Sequence, residues 1–361
     1  MAGGIYTENL VISKQIILIS NGYVEIRSSM QNVITCCAPN EGCLIKGFSI
    51  RRLDGQKVDP TTCGVNTLAS NTANDMTHKS GTNVSDRDLR SNDNRRGGGK
   101  FDDDEFSKNA NRVFSSENKF AIYVKEGRAT IEECDMLSEC GTVVFCNPRS
   151  HTKLVKNNIS GSIGSGVMVT GKGARILAEE NHIFGSTGCG IDVRNNASCT
   201  LVKNRIHNCD KSGIYILMTG DARIFRNEIW ENHFSGIEVT NAQKVEIISN
   251  KIYQNKRAGL YFHTESEVFV ENNEIIENKN ANVIMKEKSR VKMVHNFIGR
   301  SVGSGLVILT GSGCVFESNI IKGCMNNGID LCNGDIYASK NVIVDNDRSG
   351  LYGNGHIKGY F

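Results

Sequence analysis

One three-residue unit, Asn-x-Ile, occurs nine times in this sequence at nearly constant spacing. Successive units lie 23 residues apart, except for one step of 24 and one of 22. A fixed period of this length is typical of solenoids, in which each repeat packs only against its two neighbours. The asparagines of the nine units are Asn157, Asn181, Asn204, Asn227, Asn250, Asn273, Asn296, Asn319 and Asn341.

Each repeat divides into three short strands, which we call a, b and c. The a-strand begins with Gly and an aliphatic residue, as at Gly213 and Ile214, and is apolar again two positions on; Asn282 replaces the Gly in one repeat. The b-strand precedes the Asn and has an apolar residue three positions upstream of it, as at Leu201. The c-strand is the Asn-x-Ile unit. Alternation of apolar and variable residues predicts strands with one buried face.

The repeat length decides the fold class. A unit of 23 residues is too short for strand, crossover helix and strand, which need about 30 residues, and it shows no 3.6-residue period. Stacked three-strand coils give parallel neighbours about 4.8 Å apart, and such crossovers are right-handed in nearly all proteins. We predict an all-β, right-handed parallel β-helix of about 11–12 coils, with residues 1–361 forming a single domain.

Two columns follow from stacking. Identical residues on successive coils lie above one another, so the Ile side chains form an aliphatic stack and the Asn side chains hydrogen-bond from coil to coil. We interpret both columns as structural. The chain has 37 Gly and 3 Pro, and we expect Gly to supply positive φ at the bends.

Residues 54–118 interrupt the pattern. This segment is rich in Asn, Asp, Ser, Gly and charged residues and poor in apolar ones, so it cannot bury enough surface to order itself. We interpret it as a loop inserted between coils. The alternative is an arm that becomes ordered on a partner, since long loops in compact domains are often functional.

Composition narrows the function. The formal net charge is +3 with both signs dispersed, which argues against nucleic acid as a partner, and no run of about 18 apolar residues indicates a membrane span. No export leader is apparent, so we expect a cytoplasmic location and reduced thiols. The 13 cysteines lack the spacing of a zinc site. Neither a metal site nor a cofactor is predicted.

Function should lie on the outward positions of the a-strands. We expect these side chains to be exposed and to form an interaction surface of aromatic, apolar and charged groups. The alternative is catalysis by Asp192, Glu238 and His263, because the two carboxylates lie two coils apart, about 9.6 Å, near the separation that inverting glycosidases use. The candidate binding residues are Asp192, Arg194, Tyr215, Leu217, Glu238, Thr240, Tyr261 and His263.

The stretches GIYTENLVISKQIILISNG, LIKGFSI and YVKEGRATIEECDM resemble the opening coils of NosD-like and carbohydrate-binding/sugar-hydrolase (CASH) β-helices of the pectin-lyase-like superfamily. The 23-residue coils with Asn-x-Ile and Gly-Ile resemble the β-helices of F-box substrate-recognition proteins and of Shc-binding spindle proteins. That resemblance implies a non-enzymatic, cytoskeleton-associated scaffold that binds a protein partner within a larger assembly covering the helix ends. No F-box is present in the sequence.

The wider superfamily implies a different function for the same face. Its members include pectin lyases, polygalacturonases and epimerases, so the resemblance also implies a polysaccharide hydrolase or lyase, or a carbohydrate-binding protein.

Overall fold

The structure, a computed structural model, describes residues 3–55 and 120–360. These residues belong to one compact unit and form 35 β-strands, with no helix among them. Within the same ranges no helix is therefore long and apolar enough to cross a bilayer. The predicted insertion, 54–118, lies outside the described residues except for its first two positions.

The c-strands form a 13-stranded parallel sheet in which every coil supplies one strand. Its strands are β1 (Gly4–Thr7), β4 (Val24–Ser28), β6 (Ser49–Arg52), β8 (Asp135–Ser138), β11 (Asn158–Ser160), β14 (His182–Phe184), β17 (Arg205–His207), β20 (Glu228–Trp230), β23 (Lys251–Tyr253), β26 (Glu274–Ile276), β29 (Phe297–Gly299), β32 (Ile320–Lys322) and β34 (Val342–Val344).

The a- and b-strands together form a 22-stranded parallel sheet. The a-strands are β2 (Leu10–Ile12), β9 (Val144–Cys146), β12 (Val167–Thr170), β15 (Ile191–Arg194), β18 (Ile214–Leu217), β21 (Ile237–Thr240), β24 (Leu260–His263), β27 (Val283–Met285) and β30 (Leu306–Leu309). The b-strands are β3 (Ile16–Ile19), β10 (Ser150–Val155), β13 (Arg175–Glu179), β16 (Ser198–Val202), β19 (Ala222–Phe225), β22 (Val245–Ile248), β25 (Glu267–Glu271), β28 (Arg290–Val294) and β31 (Gly313–Glu317). Four coils join a and b in one long strand: β5 (Ile34–Lys46), β7 (Ile122–Glu132), β33 (Ile329–Ser339) and β35 (Leu351–Gly359).

Every strand pairs in parallel with the equivalent strand of the next coil. β17 pairs with β20 in the register that places Ile206 opposite Ile229, and β15 pairs with β18 so that Asp192 faces Tyr215. β7 pairs with β5, so the coils on either side of residues 56–119 are adjacent. The right-handed parallel β-helix is confirmed, with 13 coils where the sequence indicated 11 to 12.

The Ile column of the c-strands forms the spine of the core. Its side chains stack in register from Ile159 to Ile343, and those up to Ile321 are fully buried. Burial of one such side chain contributes about 1.5–3 kcal/mol, so the column is a major source of stability.

The Asn column forms the predicted ladder. In a typical rung, the Nδ2 atom of Asn204 donates to Asn227 Oδ1 at 2.9 Å and to the carbonyl of Ala178 at 2.8 Å, and the backbone N of Asn204 donates to the same Oδ1 at 2.9 Å. Both the backbone and the side chain are therefore satisfied at a buried turn. The ladder runs unbroken from Asn157 to Asn341.

A second ladder lies at the turn between the c- and a-strands. Asn232, Asn255 and Asn278 are buried, and Asn232 Nδ2 donates to Asn255 Oδ1 at 3.0 Å, as Asn255 does to Asn278. The sequence analysis missed this ladder because serine or cysteine occupies the same turn in other coils, so the column lacks a single residue type.

Glycine acts differently from our expectation. The residue before each ladder Asn has φ near +55° and is a polar residue such as Lys203 or Arg226 rather than Gly. The Gly at the start of an a-strand is required because neighbouring coils leave no room for a side chain there. A Cβ on Gly213 would lie 2.7 Å from Ile229 Cγ2 and 2.8 Å from the carbonyl O of Gly236. The expectation that Gly supplies the positive φ at the bends is therefore wrong for these columns.

Candidate functional site

The outer face of the a-strands brings the predicted residues together as expected. Asp192, Tyr215, Glu238 and Tyr261 occupy equivalent positions on four successive coils. The second column, two residues further on, contains Arg194, Leu217, Thr240 and His263. We call these eight residues the a-face site.

The a-face site is much less exposed than the alternation predicted. Asp192 and Arg194 are only 1% and 6% exposed, and Thr240 and His263 are also buried. Tyr215, Leu217, Glu238 and Tyr261 are half-buried. The reason is that coils lie about 4.8 Å apart, so long side chains of one coil lie over those of the next. The expectation of a fully exposed face is wrong at the buried positions.

Asp192 and Arg194 form a buried ion pair on one strand. Arg194 Nε donates to Asp192 Oδ1 at 2.6 Å, and Nη2 donates to Oδ2 at 2.5 Å. Burial opposes the charge of Arg194, but the attraction and hydrogen bonds of Asp192 outweigh it, so the pKa of Arg194 is raised. Both oxygens of the Asp192 carboxylate are therefore held by Arg194, and the group is buried away from any substrate atom.

Glu238 and His263 form a second polar pair, on adjacent coils. His263 Nε2 lies 3.2 Å from Glu238 Oε1 and 2.7 Å from Thr240 Oγ1. The other oxygen of Glu238, Oε2, accepts a 2.6 Å hydrogen bond from Ser212. The imidazole ring also stacks on Tyr261, with 4.7 Å between the ring centroids. An imidazole oriented by a carboxylate is the usual arrangement for proton transfer by histidine.

The two tyrosines remain protonated over the whole physiological range. Burial raises the pKa of Tyr215, and the nearby Glu238 carboxylate raises it further. Burial likewise raises the pKa of Tyr261. Each phenol is therefore neutral at the a-face site.

Lys286 and Glu287 extend the a-face site by one coil and were not among the predicted residues. Lys286 Nζ lies 2.7 Å from Glu287 Oε1 and 5.6 Å from the centroid of the Tyr261 ring. Glu287 also accepts a 2.8 Å hydrogen bond from Thr264 Oγ1. Glu287 escaped prediction because it follows the a-strand in a turn, at φ +55°, where strand alternation carries no information.

Two family models match the sequence. The model described as "Right handed beta helix region" matches residues 212–358, and the model described as "Periplasmic copper-binding protein (NosD)" matches residues 103–282. A search of curated proteins gave no significant match.

Solved structures with similar folds include alginate epimerases. A double mutant of the periplasmic alginate epimerase AlgG has a TM-score of 0.60 at 12% identity, over 92% of this chain and 78% of that one. The unmutated AlgG has a TM-score of 0.57 at 13% identity, over 96% and 77%. The A-module of the Azotobacter vinelandii mannuronan C-5 epimerase AlgE4 has a TM-score of 0.46 at 14% identity, over 67% and 83%.

Fold, register and family models together define this chain as a right-handed parallel β-helix protein. Within that class it is NosD-like. The TM-scores of 0.60 and 0.57 show that the fold is shared with AlgG, and identities of only 12–13% do not extend the activity of AlgG to this chain.

The expected cytoplasmic location is wrong. The matching NosD family is described as periplasmic, and AlgG is a periplasmic enzyme. That expectation rested on the lack of an apparent export leader and not on the cysteines. Cys146 and Cys199 are core residues, and burial raises the pKa of each thiol to about 12.

The NosD description also names copper. In the ranges 3–55 and 120–360, no group of three or more His, Cys, Asp or Glu side chains is placed to bind a metal ion. His182 and His207 have their Nε2 atoms 2.7 Å apart, but they are hydrogen-bonded to each other. These residues do not fit a copper centre, and we assign no copper chemistry to them.

Proposed function

We propose that this protein is a carbohydrate-active β-helix of the periplasm or cell exterior that binds a polysaccharide along the a-face site. The observation that supports this most is the Glu238–His263 pair, flanked by Tyr215 and Tyr261 on successive coils. Half-buried phenols can contact sugar rings and donate hydrogen bonds to their hydroxyls. The fold shared with alginate epimerase AlgG agrees with this class of ligand.

The geometry favours proton transfer at carbon over hydrolysis. Glycoside hydrolysis usually requires two carboxyl groups at the scissile bond, and Asp192 is held in its ion pair with Arg194. The a-face site offers an imidazole, two neutral phenols and the Lys286 ammonium instead. In a uronate, the Glu238–His263 pair would take the proton from the carbon beside the substrate carboxylate, breaking that C–H bond; Glu238 is the half-buried member that can reach substrate, and the buried His263 orients it. Lys286 would stabilise the negative charge, and a tyrosine O–H would return a proton.

This proposal is tested by hydrogen exchange at carbon. The full chain is incubated in D₂O with polymannuronate, polygalacturonate or neutral dextran, and deuterium incorporation next to the carboxylate is followed by NMR. We expect exchange only with a uronate polymer. His263→Gln should lower its rate about 100-fold or more, because general acid–base groups contribute about 10²–10⁴.

The control is His151→Gln, an exposed histidine on a b-strand distant in register from the a-face site. Thermal melts must show that both variants fold, and Glu238→Gln serves as a second test should His263→Gln be unstable. The proposal fails if no uronate polymer is bound or exchanged, or if His263→Gln matches the wild type. A protein partner, as the sequence predicted, would then have to be sought by affinity capture on the same variants.

A further inference from the structure

A groove of about 990 Å³ follows the outer face of the b-strands and not the a-face site. It extends over seven coils, from Asp221 to Lys358. Its central column, which we call the b-face column, lies in continuous register on β19, β22, β25, β28, β31, β33 and β35. The column consists of Arg223, Glu246, Phe269, Lys292, Val315, Tyr337 and Lys358.

Charge in the groove changes along the rod. At its N-terminal end, Arg223 Nε lies 3.5 Å from Glu246 Oε2, so these charges are paired. Further on, no carboxylate of the described residues lies within 4.0 Å of the side-chain nitrogens of Arg290, Lys292 or Lys358. Arg290 Nη1 donates a hydrogen bond to an uncharged group, the carbonyl O of Gly311, at 3.1 Å. The C-terminal half of the groove therefore has cations available for an anionic ligand.

Apolar surface alternates with these cations. Phe269 precedes Lys292 in the b-face column, and Val315 and Tyr337 separate Lys292 from Lys358. Val315 is 39% exposed and Tyr337 is 53% exposed, so both present apolar surface to solvent rather than to the core. Gly313, two residues before Val315, has no side chain, and the Arg290 guanidinium lies over it: a Cβ on Gly313 would be 2.7 Å from Arg290 Nη1.

We propose that this groove is a second binding site, for an anionic polysaccharide lying along the rod axis. Arg290, Lys292 and Lys358 would contact its carboxylate or sulfate groups, and Val315 and Tyr337 would contact the apolar faces of its sugars. Coils repeat about every 4.8 Å, a spacing comparable to one sugar unit of an extended chain. The ligand class follows from the groove's own charges, and it holds whether or not the a-face site is catalytic.

The charge density favours a polysaccharide over nucleic acid. Nucleic-acid sites neutralise closely spaced phosphates with many Lys and Arg side chains. Here three cations without a carboxylate partner are spread over four coils, and Asp221, Glu246, Glu267 and Asp335 line the same groove. A sparsely charged chain with apolar sugar faces matches this lining better.

The test places a fluorescent reporter in the groove. The only tryptophan, Trp230, lies in a ring stack on the c-strands, so a Trp230→Phe/Tyr337→Trp variant carries a single indole in the groove. Polygalacturonate oligosaccharide should change its emission, and neutral dextran should not. Raising the salt concentration should weaken the response, because exposed ionic contacts are screened.

Binding should depend on the groove lysines. Adding Lys292→Ala and Lys358→Ala to the reporter should weaken affinity about three- to tenfold. The matched control, Lys153→Ala with Lys172→Ala, removes two exposed lysines outside the groove and should change affinity less than about twofold. Equal binding of dextran, tighter binding of single-stranded DNA, no response at all, or an unchanged affinity in the groove variant would each overturn the proposal.

The two proposals fail independently. His263→Gln should leave the response of the groove reporter unchanged, because His263 is not part of the groove lining. The Lys292→Ala/Lys358→Ala variant should retain the deuterium exchange at saturating substrate. If the wild type exchanges deuterium without a reporter response, the groove proposal fails alone. If it gives a reporter response without exchange, the proposal for the a-face site fails alone.

Discussion

At the residue scale, the ladder asparagines stabilise the fold through buried hydrogen bonds at the turns. Asn250 accepts hydrogen bonds from the backbone N and Nδ2 of Asn227 at 2.8 and 3.0 Å, and its own Nδ2 donates to Ile224 O and Asn273 Oδ1. It is 2% exposed. If the Asn250 side chain is removed, the buried amides of Asn227 and the buried acceptors Ile224 O and Asn273 Oδ1 each lose a hydrogen-bond partner and have no free access to water.

We therefore expect Asn250→Ala to lower the free energy of unfolding by about 2–4 kcal/mol. Urea denaturation measures the change. Asn280→Ala, at an exposed asparagine outside the ladder, is the control and should cost less than about 0.5 kcal/mol. Equal effects at the two positions would show that the ladder hydrogen bonds add nothing to stability.

A pair of histidines on the c-strands predicts how stability depends on pH. Burial, the neighbouring His182 and Arg205 lower the pKa of His207 to about 4, and burial and Arg205 lower the pKa of His182. The unfolded chain, with a histidine pKa near 6.5, therefore binds these protons more readily than the folded chain. The stabilising contribution is complete above pH 6.5 and is lost as the pH falls toward about 4.

Thermal melts between pH 7.5 and 4 test this dependence. His207→Phe keeps the ring stack with Phe184 and Trp230 but removes one titrating group, so its melting temperature should fall less steeply over the same range. An identical pH profile in the variant would assign the acid sensitivity to other residues.

At the element scale, the Gly that begins each a-strand makes room for the turns around it. A Cβ on Gly213 would lie 2.7 Å from Ile229 Cγ2 and 2.8 Å from Asn232 Nδ2. We expect Gly213→Ala to cost about 1–3 kcal/mol through overpacking, measured by urea denaturation. Gly350 precedes the last a-strand, and a Cβ there would have one neighbour within 4 Å, Ile343 Cγ2 at 3.5 Å. We therefore expect Gly350→Ala to be nearly neutral. Equal costs at both sites would contradict the packing explanation.

In one coil, Asn282 occupies the position before the a-strand that is Gly in the other Asn-x-Ile repeats. Its Oδ1 accepts a 2.8 Å hydrogen bond from Asn278 Nδ2, and its Nδ2 donates to the carbonyl of Gly299 at 2.9 Å. The next coil has Ser301 where the three coils before it have the larger Asn of the second ladder. The exception in the repeat is therefore compensated by small residues one coil away.

Prediction from the sequence succeeded where stacking imposes one residue type on a column. The Ile and Asn columns could be read directly, because each coil presents the same environment to the same position. The a-face register was predicted for the same reason. The burial of Asp192 and His263 was not, because it depends on how neighbouring side chains lie over one another. The b-face groove was also missed, since its column mixes cations, an acid, aromatics and valine.

At the scale of the whole molecule, the constant coil length makes the rod modular. Residues 181–203 form one complete coil, and their deletion joins Glu180 to Asn204 in the original phase. The deletion also removes Asp192 together with its partner Arg194. Because stability in solenoids is a sum over repeats and their interfaces, the shortened chain should fold cooperatively with a modestly lower melting temperature.

A deletion of 22 residues, 181–202, is the matched control. It leaves one extra residue at the junction of Glu180 and Lys203, so the strands on either side of the junction pair one position out of register and turn core side chains outward there. This chain should not melt cooperatively. Circular dichroism melts compare the two. Cooperative folding of both deletions would show that register is set by something other than the columns.

The amides of the Asn ladder all have the same orientation. From Asn157 to Asn319, each Asn accepts through Oδ1 from the coil before it and donates through Nδ2 to Oδ1 of the next ladder Asn; Asn341 accepts in the same way. Nine side-chain dipoles are thus aligned head to tail, and neighbouring dipoles in such a chain polarise one another. The rod has an electrical polarity, with its positive pole toward the C-terminal coils. Arg290, Lys292 and Lys358 lie in that half, so the side-chain amides of the Asn ladder and the groove cations act on an approaching anion in the same sense.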